Sequence, residues 1–319
     1  MGVIVMTIYS AFESFLDFGS SYWAPRTLLY YRKNIGYFLQ FYNTRCAPEL
    51  PVSELPDTLY AEYVIYLRAK EKYAGHPLRD SMNVNGCIKS NTVCTYSRAT
   101  RTFLNWLYKN GYIATKLTED VKLPRKDDDI IVPLLAQEVV AIDSVFDGAQ
   151  NNDLRNWCII HLMLDAGLRS CEVISLTPSD LIFDSHAITI NRSKFDKSRV
   201  VPMVPKLEEN LREYVRLYKP SGTLFRKSTE NKGINEDVIK SMFLRIKRNT
   251  NIDRIHPHLL RHTFATSFIM GGGNLEQLRL LLGHYDYAVT RLYLHLASQY
   301  LILHTDIYQL DPLFFKAGY

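Results

Sequence analysis

The chain has 319 residues, 47% of them hydrophobic and 22% charged, which is room for two domains and the balance of a soluble globular protein. No apolar run approaches the ~20 residues that cross a bilayer. The opening MGVIVMTIYSAFESF lacks the marks of a secretory leader and has Met6 where myristoylation needs Ser or Thr, so no membrane association is expected. The net charge of +5 lies wholly in residues 1–125, with 15 Lys+Arg against 10 Asp+Glu, while residues 126–319 balance at 23 against 23. A basic first half points to a grip on a polyanion, although an excess of five charges can also arise by chance.

In chain order, the first 115 residues read as helical. PRTLLYYRKNIGYFLQFY (25–42) places Leu28, Leu29, Ile35, Phe38, Leu39 and Tyr42 near one face, with Pro25 close to the helix start. AEYVIYLRAK is a shorter candidate. SNTVCTYSRATRTFLNWLYKNG begins at a Ser90 or Asn91 cap and stops at Gly111. It carries Phe103, Leu104, Trp106 and Leu107 on one side, a pattern that marks core more often than a base-stacking platform. TKLTEDVKLPRKDDDIIVP has a proline, mixed charge and no sustained period; it reads as a linker, with the domain boundary near residue 125.

Beyond the linker the pattern is mixed. NDLRNWCIIHLMLDAG is a buried helix ended at Gly167, and HAITI and SRVVPMV are β-branched segments forming a hairpin around NRSKFDK. KLEENLREYVRLY and NEDVIKSMFLRIKRN are amphipathic helices, the second capped by Asn235. HPHLLRHTFATSFIM is a helix stopped by the glycines of 271–273. Asn274 opens the next, with Gln277 completing a capping box, and Gly283 ends it. There is no internal repeat and no low-complexity tract. The fold expected is mainly α with a small β-sheet in the C-terminal domain.

Four stretches could carry chemistry. In HPHLLRHTFAT, Pro257 suits the first helical position, so His258 and Arg261 share a face at a helix N-terminus, where free N–H groups and the dipole favour an anion. In LDAGLRSCEVISL, Arg169 offers a rigid fork suited to phosphodiester oxygens, and Glu172 could orient it or simply pair with it. At the hairpin tip, Lys194 and Lys197 can both reach into a groove and protonate a leaving alkoxide. In GHYDYAVTRLYLHL, Asp286 can cap a helix on which Tyr293 stands at the edge of an apolar face of Val289, Leu292 and Leu296. Each also has a plain structural reading: a capped first turn, a surface ion pair, a solvated lysine, a core tyrosine. The five cysteines show no metal-ligand spacing, and their odd number fits reduced thiols in the cytosol, so a cytoplasmic protein is expected.

Taken together and in this order, AGLRSCEVISL, the K-x-x-K-x-R-x-V-P run from Lys194, HPHLLRHTFAT and LLGHYDYAVTRLY closely resemble the tyrosine recombinase (phage integrase) family over about residues 130–300. The resemblance implies a two-domain DNA clamp, with a helical, SAM-like core-binding domain and linker in 1–125 and a mixed α+β catalytic domain with an oligomerisation tail in 126–319. It implies the site residues Arg169, Lys194, His258, Arg261 and His284, with Tyr293, nine residues after His284, as nucleophile in place of Tyr285 or Tyr287. Aligning Lys197-Ser198-Arg199 with the family's K-x-R run makes Lys194 the lysine. Ser193 and Phe195 replace the glycines that usually flank it, and Tyr285 and Asp286 the small polar residues common after the GH.

The activity implied is site-specific cutting and rejoining of DNA through a 3′-phosphotyrosyl intermediate, with no cofactor, metal or ATP, for integration, excision or resolution. The partners implied are double-stranded DNA and further copies of the chain in a tetramer on two DNA sites; an accessory DNA-bending protein is left open. The 26 residues after Tyr293 suit docking on a neighbouring protomer or packing on their own domain. The helices begin so early that no separate arm-binding domain is expected, which favours a simple two-site system. The rival readings are a type IB topoisomerase-like nicking and closing enzyme and a non-catalytic DNA-binding regulator.

Overall fold

A computed structural model describes residues 6–72, 74, 86–124, 131–148, 150, 152–191, 198–227, 232–284, 287, 290 and 293. The chain divides into two units, Met1–Asp129 and Ile130–Tyr319. The expected boundary at residue 125 falls in 125–130, outside the described residues.

The first unit is helical: α1 (Ile8–Ser20), α2 (Pro25–Tyr42), α3 (Leu59–Ala69) and α4 (Ser90–Lys109). Helix α1 was not singled out as a helix by periodicity; Thr7 opens it with a reciprocal cap to Ser10. Phe15 of α1 lies at the centre of an aromatic core, its ring 5.1 Å from Trp23, 5.3 Å from Phe103 and 5.4 Å from Tyr31. On α2 the predicted face is buried at Ile35, Phe38, Leu39 and Tyr42, but Leu29 is 64% exposed, because the stripe turns away from the core in the first turn. Helix α4 starts at Ser90 behind Lys89 with no side-chain cap, so neither Ser90 nor Asn91 plays that part. Phe103, Leu104 and Leu107 are core, as their spacing suggested.

The stretch read as linker is in part anchored. Arg101 donates to the carbonyls of Thr118 and Val121, Thr118 donates to Asn105 at 2.6 Å, and Cys94 Sγ donates to the Pro124 carbonyl at 2.8 Å. Side chains of α4 replace the hydrogen bonds that a regular element would supply, which periodicity cannot reveal.

The second unit runs α5 (Ala136–Asp143), α6 (Asp153–Leu164), α7 (Ser170–Ser175), β1 (Leu181–Ile182), β2 (Ala187–Ile190), β3 (Arg199–Pro202), α8 (Pro205–Tyr218), α9 (Glu236–Thr250), α10 (Pro257–Met270) and α11 (Leu275–Leu282). Helix α6 is apolar nearly all round and forms the middle of the core, packed by α7, α8 and α10. Helices α8 and α9 turn Leu207, Leu211 and Tyr214, and Ile239, Met242, Phe243 and Ile246, toward it. The predicted hairpin is present, with Ile188 opposite Val201 and Ile190 opposite Arg199. Its tip, 192–197, lies outside the described residues. The two-residue β1, too short for alternation to show, completes an antiparallel sheet in the order β1-β2-β3.

A buried imidazole joins α5 to α6. His161 Nε2 lies 2.7 Å from Asp143 Oδ1 and Nδ1 lies 2.7 Å from Asp165 Oδ2, with Trp157 stacked on the ring at 3.7 Å and Lys206 3.8 Å from Asp143. Burial opposes the charged ring, but the two carboxylates outweigh it and raise its pKa. Its contribution to stability is therefore complete below the unfolded value near 6.5 and is lost as pH rises through the folded value. Urea unfolding across that window should show the wild type losing more stability with rising pH than His161→Gln; parallel curves would disprove the linkage.

Candidate active site

Gly167, at φ +65°, turns the chain after α6 so that Arg169 stands extended just before α7. The Arg169 N–H donates to Glu172 Oε2 at 2.7 Å and its Nη1 to Oε1 at 3.0 Å, so the pairing expected from their spacing is made. Glu172 is buried and takes more. Arg199 meets it fork to fork, Nη1 to Oε1 at 2.8 Å and Nη2 to Oε2 at 2.7 Å, and Arg261 Nη1 stands 4.0 Å from Oε2. Burial works against the Glu172 carboxylate, yet the bonds and charge of Arg199, then Arg169, hold its pKa below the usual range.

Helix α11 supplies the other half. Its last carbonyls have no partner within the helix and carry the negative end of its dipole. Arg199 Nε donates to the Leu281 carbonyl at 2.7 Å, and Arg261 Nη2 donates to the Leu282 carbonyl at 2.6 Å. Arg261 Nη1 reaches back to the Gly167 carbonyl at 2.5 Å. Gly283 closes the helix at φ +63°, and a Cβ there would lie 3.1 Å from Cδ of Arg199. The glycine before His284 thus meets both a left-handed turn and a close approach.

His284 and Tyr293 complete the cluster. A guanidinium only donates, so His284 Nε2 accepts from Arg261 Nη2 at 3.1 Å. The ring proton is then on Nδ1, which donates to Thr290 Oγ1 at 3.0 Å; Thr290 is fully buried. Tyr293 follows Thr290 by three residues, with helical backbone at both positions. Its ring is parallel to His284 at 6.2 Å and 5.4 Å from His262, and it is 3% exposed.

The electrostatics describe a place prepared for an anion. Burial, then the charge of Arg169, pulls the Arg261 guanidinium down to about 9, still charged at pH 7. Burial and the arginines bring His284 to about 4, and burial and neighbouring His258 bring His262 to about 4, so both rings are neutral at pH 7. His258, exposed in the first turn of α10, is lowered by partial burial and then by Arg261 and Arg169. Burial raises the Tyr293 phenol, while Arg261 and Arg169 act to lower it. Three guanidiniums thus face one carboxylate. A tetrahedral phosphoryl group carries the missing negative charge and matches the geometry of the forks.

Of the residues singled out from sequence, the structure brings Arg169, Arg261, His284 and Tyr293 together, with His258 near enough to feel both arginines. Lys194, like Lys197, lies outside the described residues. Arg199, His262 and Thr290 were assigned no part. The signal for Arg199 was strand parity: it shares the inward face of β3 with Val201, where a lone arginine requires a buried partner.

A mainly helical two-unit chain, carrying a small sheet and a cluster of arginine, histidine and tyrosine between helix ends, defines a class of phosphoryl-transfer sites built from side chains. A model of the phage integrase family matches residues 134–300. A tyrosine recombinase of Thermosipho africanus is 30% identical over 212 residues, covering 66% of this chain and 74% of its own. Tyrosine recombinase XerC of Mesorhizobium japonicum is 25% identical over 278 residues, covering 85% of each. In fold, the chain is similar to the Tn1549 transposon integrase solved with a circular intermediate DNA, at a TM-score of 0.71 and 16% identity over 90% of this chain and 95% of that one. The chain belongs to the phage integrase family: it is a tyrosine recombinase, an enzyme that breaks and rejoins DNA. The resemblance in the motifs and the mainly helical fold with its small sheet are both borne out.

Proposed function

We propose that this recombinase cuts and rejoins double-stranded DNA at a specific site through Tyr293. The observation that carries the reading is the Tyr293 ring, buried against His284, with Arg261 and Arg169 the charges that act on its hydroxyl. The phenolic oxygen attacks a backbone phosphorus, the P–O5′ bond breaks, and a 3′-phosphotyrosyl link and a free 5′-hydroxyl result. His258, kept neutral by its surroundings, takes the phenolic proton, and Lys194 gives one to the leaving 5′-oxygen. Arg169 and Arg261 stabilise the charge that develops on the phosphorane. These cations do the work for which other phosphoryl-transfer enzymes use a metal, and the phosphotyrosine conserves bond energy, so neither metal, cofactor nor ATP is invoked.

His284 needs one adjustment. As placed, its Nε2 accepts from Arg261 and cannot donate to a phosphoryl oxygen. An incoming phosphate brings the negative charge its surroundings lack, raises its pKa, and turns it into a donor. For strand exchange, a tetramer on two DNA sites is proposed, with 1–125 as the core-binding domain and the segment after Tyr293 as the contact between protomers. The test mixes the protein with DNA from its own genomic neighbourhood, recovers any covalent adduct from a denaturing gel, and maps the nucleotide-bearing peptide by mass spectrometry. An adduct on Tyr293 is expected. Specific DNA binding with no adduct would replace this reading with that of a regulator.

A further inference from the structure

We propose that Arg199 is a positioning residue: by occupying both oxygens of Glu172 and the Leu281 carbonyl, it sets the direction in which Arg169 presents its guanidinium. The inference rests on the reading of Arg169 as a phosphate ligand.

Glu172 is a buried carboxylate, and such a group takes every charged donor within reach. Among the described residues, Arg169 gives its side chain to it through Nη1 alone, at 3.0 Å, and Nη2 and Nε make no other protein hydrogen bond, so both are open to a ligand. That economy is possible because Arg199 already meets both oxygens, at 2.7 and 2.8 Å. Without Arg199, the carboxylate would draw the Arg169 fork onto both its oxygens, turning it away from the phosphate. Arg199 also spans three elements. It opens β3, grips α7 through Glu172, and holds the end of α11 through Leu281. Gly283 keeps this passage open, since a Cβ would stand 3.1 Å from Cδ and 3.2 Å from Nη1 of Arg199. The arrangement therefore fixes Arg169 relative to β3 and to the turn that leads to His284. A lysine cannot replace it, because a single ammonium has no fork to bridge two oxygens and a carbonyl.

The test compares the wild type with Arg199→Met and Arg199→Lys on a nicked duplex carrying the site recovered from the wild-type adduct. Both variants should bind this duplex with unchanged affinity and form the adduct roughly 100-fold more slowly, the scale of a catalytic group misplaced by an ångström. The lysine variant keeps the charge and serves should the methionine variant fail to fold. A readout independent of cleavage is the Arg169 Nε–H signal in the NMR spectrum of the free protein, assigned through its loss in Arg169→Lys. It should shift in Arg199→Lys. A wild-type cleavage rate in either folded variant, a parallel loss of affinity, or an unmoved Arg169 signal would overturn the proposal. A shifted signal in a protein whose wild type forms no adduct would uphold the positioning role while removing the recombination chemistry assigned to Tyr293. Full-rate Arg199 variants beside a normal wild-type adduct would remove the positioning role alone.

Discussion

Replacing Tyr293 by phenylalanine should yield a protein that binds its DNA site with wild-type affinity and forms no covalent adduct. The substitution removes one oxygen and leaves a ring of the same shape between His284 and His262. No protein hydrogen bond to the hydroxyl is found among the described residues, so little stability is lost with it. What is removed is the proposed nucleophile, and among the described residues the nearest other tyrosine in the sequence is a poor substitute. Tyr287 is 45% exposed and lies six residues earlier, on another face of its helical segment. Tyr287→Phe should therefore cleave like the wild type. The pair of variants is read on one denaturing gel; an adduct that survives in Tyr293→Phe and vanishes in Tyr287→Phe would reverse the assignment.

The two arginines should fail in different ways. Arg169→Ala and Arg261→Ala are each expected to lower the cleavage rate by at least ~10²-fold, roughly 2.7 kcal/mol of lost transition-state stabilisation. Only Arg261→Ala should also melt early. Arg261 is 4% exposed and supplies the carbonyls of Gly167 and Leu282 with donors, which would be left buried and unpaired at about 1–3 kcal/mol each. Taking a loss on the order of 3 kcal/mol, the second unit's melting temperature should fall by roughly 6–12 °C. The Arg169 side chain is 32% exposed, and its removal leaves Glu172 paired with Arg199, so a loss within about 1 kcal/mol is expected. Calorimetry beside a cleavage assay distinguishes them. Equal melting temperatures would show that Arg261 does not brace the helix ends.

Much of this was legible in the chain. Helices with a clean stripe and an orthodox end, such as α9 behind Asn235 and α10 behind Pro257, could be placed from spacing alone. What escaped depends on distant partners. Strand β1 exists only because β2 lies beside it. Residues 115–124 look irregular because side chains of α4 satisfy their backbone. The same holds at the site. Arg169, His258, Arg261, His284 and Tyr293 stand in short motifs with a fixed order, so the sequence suggested them as a set. Arg199 meets a carboxylate 27 residues away and a carbonyl 82 residues away, and no local pattern reports either partner. Thr290 looks like any helical threonine until the tautomer of His284 gives it a task.

The surplus of cations around Glu172 has a bearing on how the reaction ends. Before DNA arrives, three guanidiniums crowd one carboxylate, and Arg261 is pulled down by its burial first and then by the charge of Arg169 and, more weakly, Arg199. A phosphodiester relieves the crowding. Rejoining regenerates a phosphodiester with the same charge as the one that was cut, so the finished product is held as firmly as the substrate was. Binding of the uncut strand and release of the rejoined one then differ little in electrostatic terms. On the proposed reading, the site therefore favours neither cutting nor rejoining, and the direction of the reaction is set by the DNA rather than by the charges that hold it.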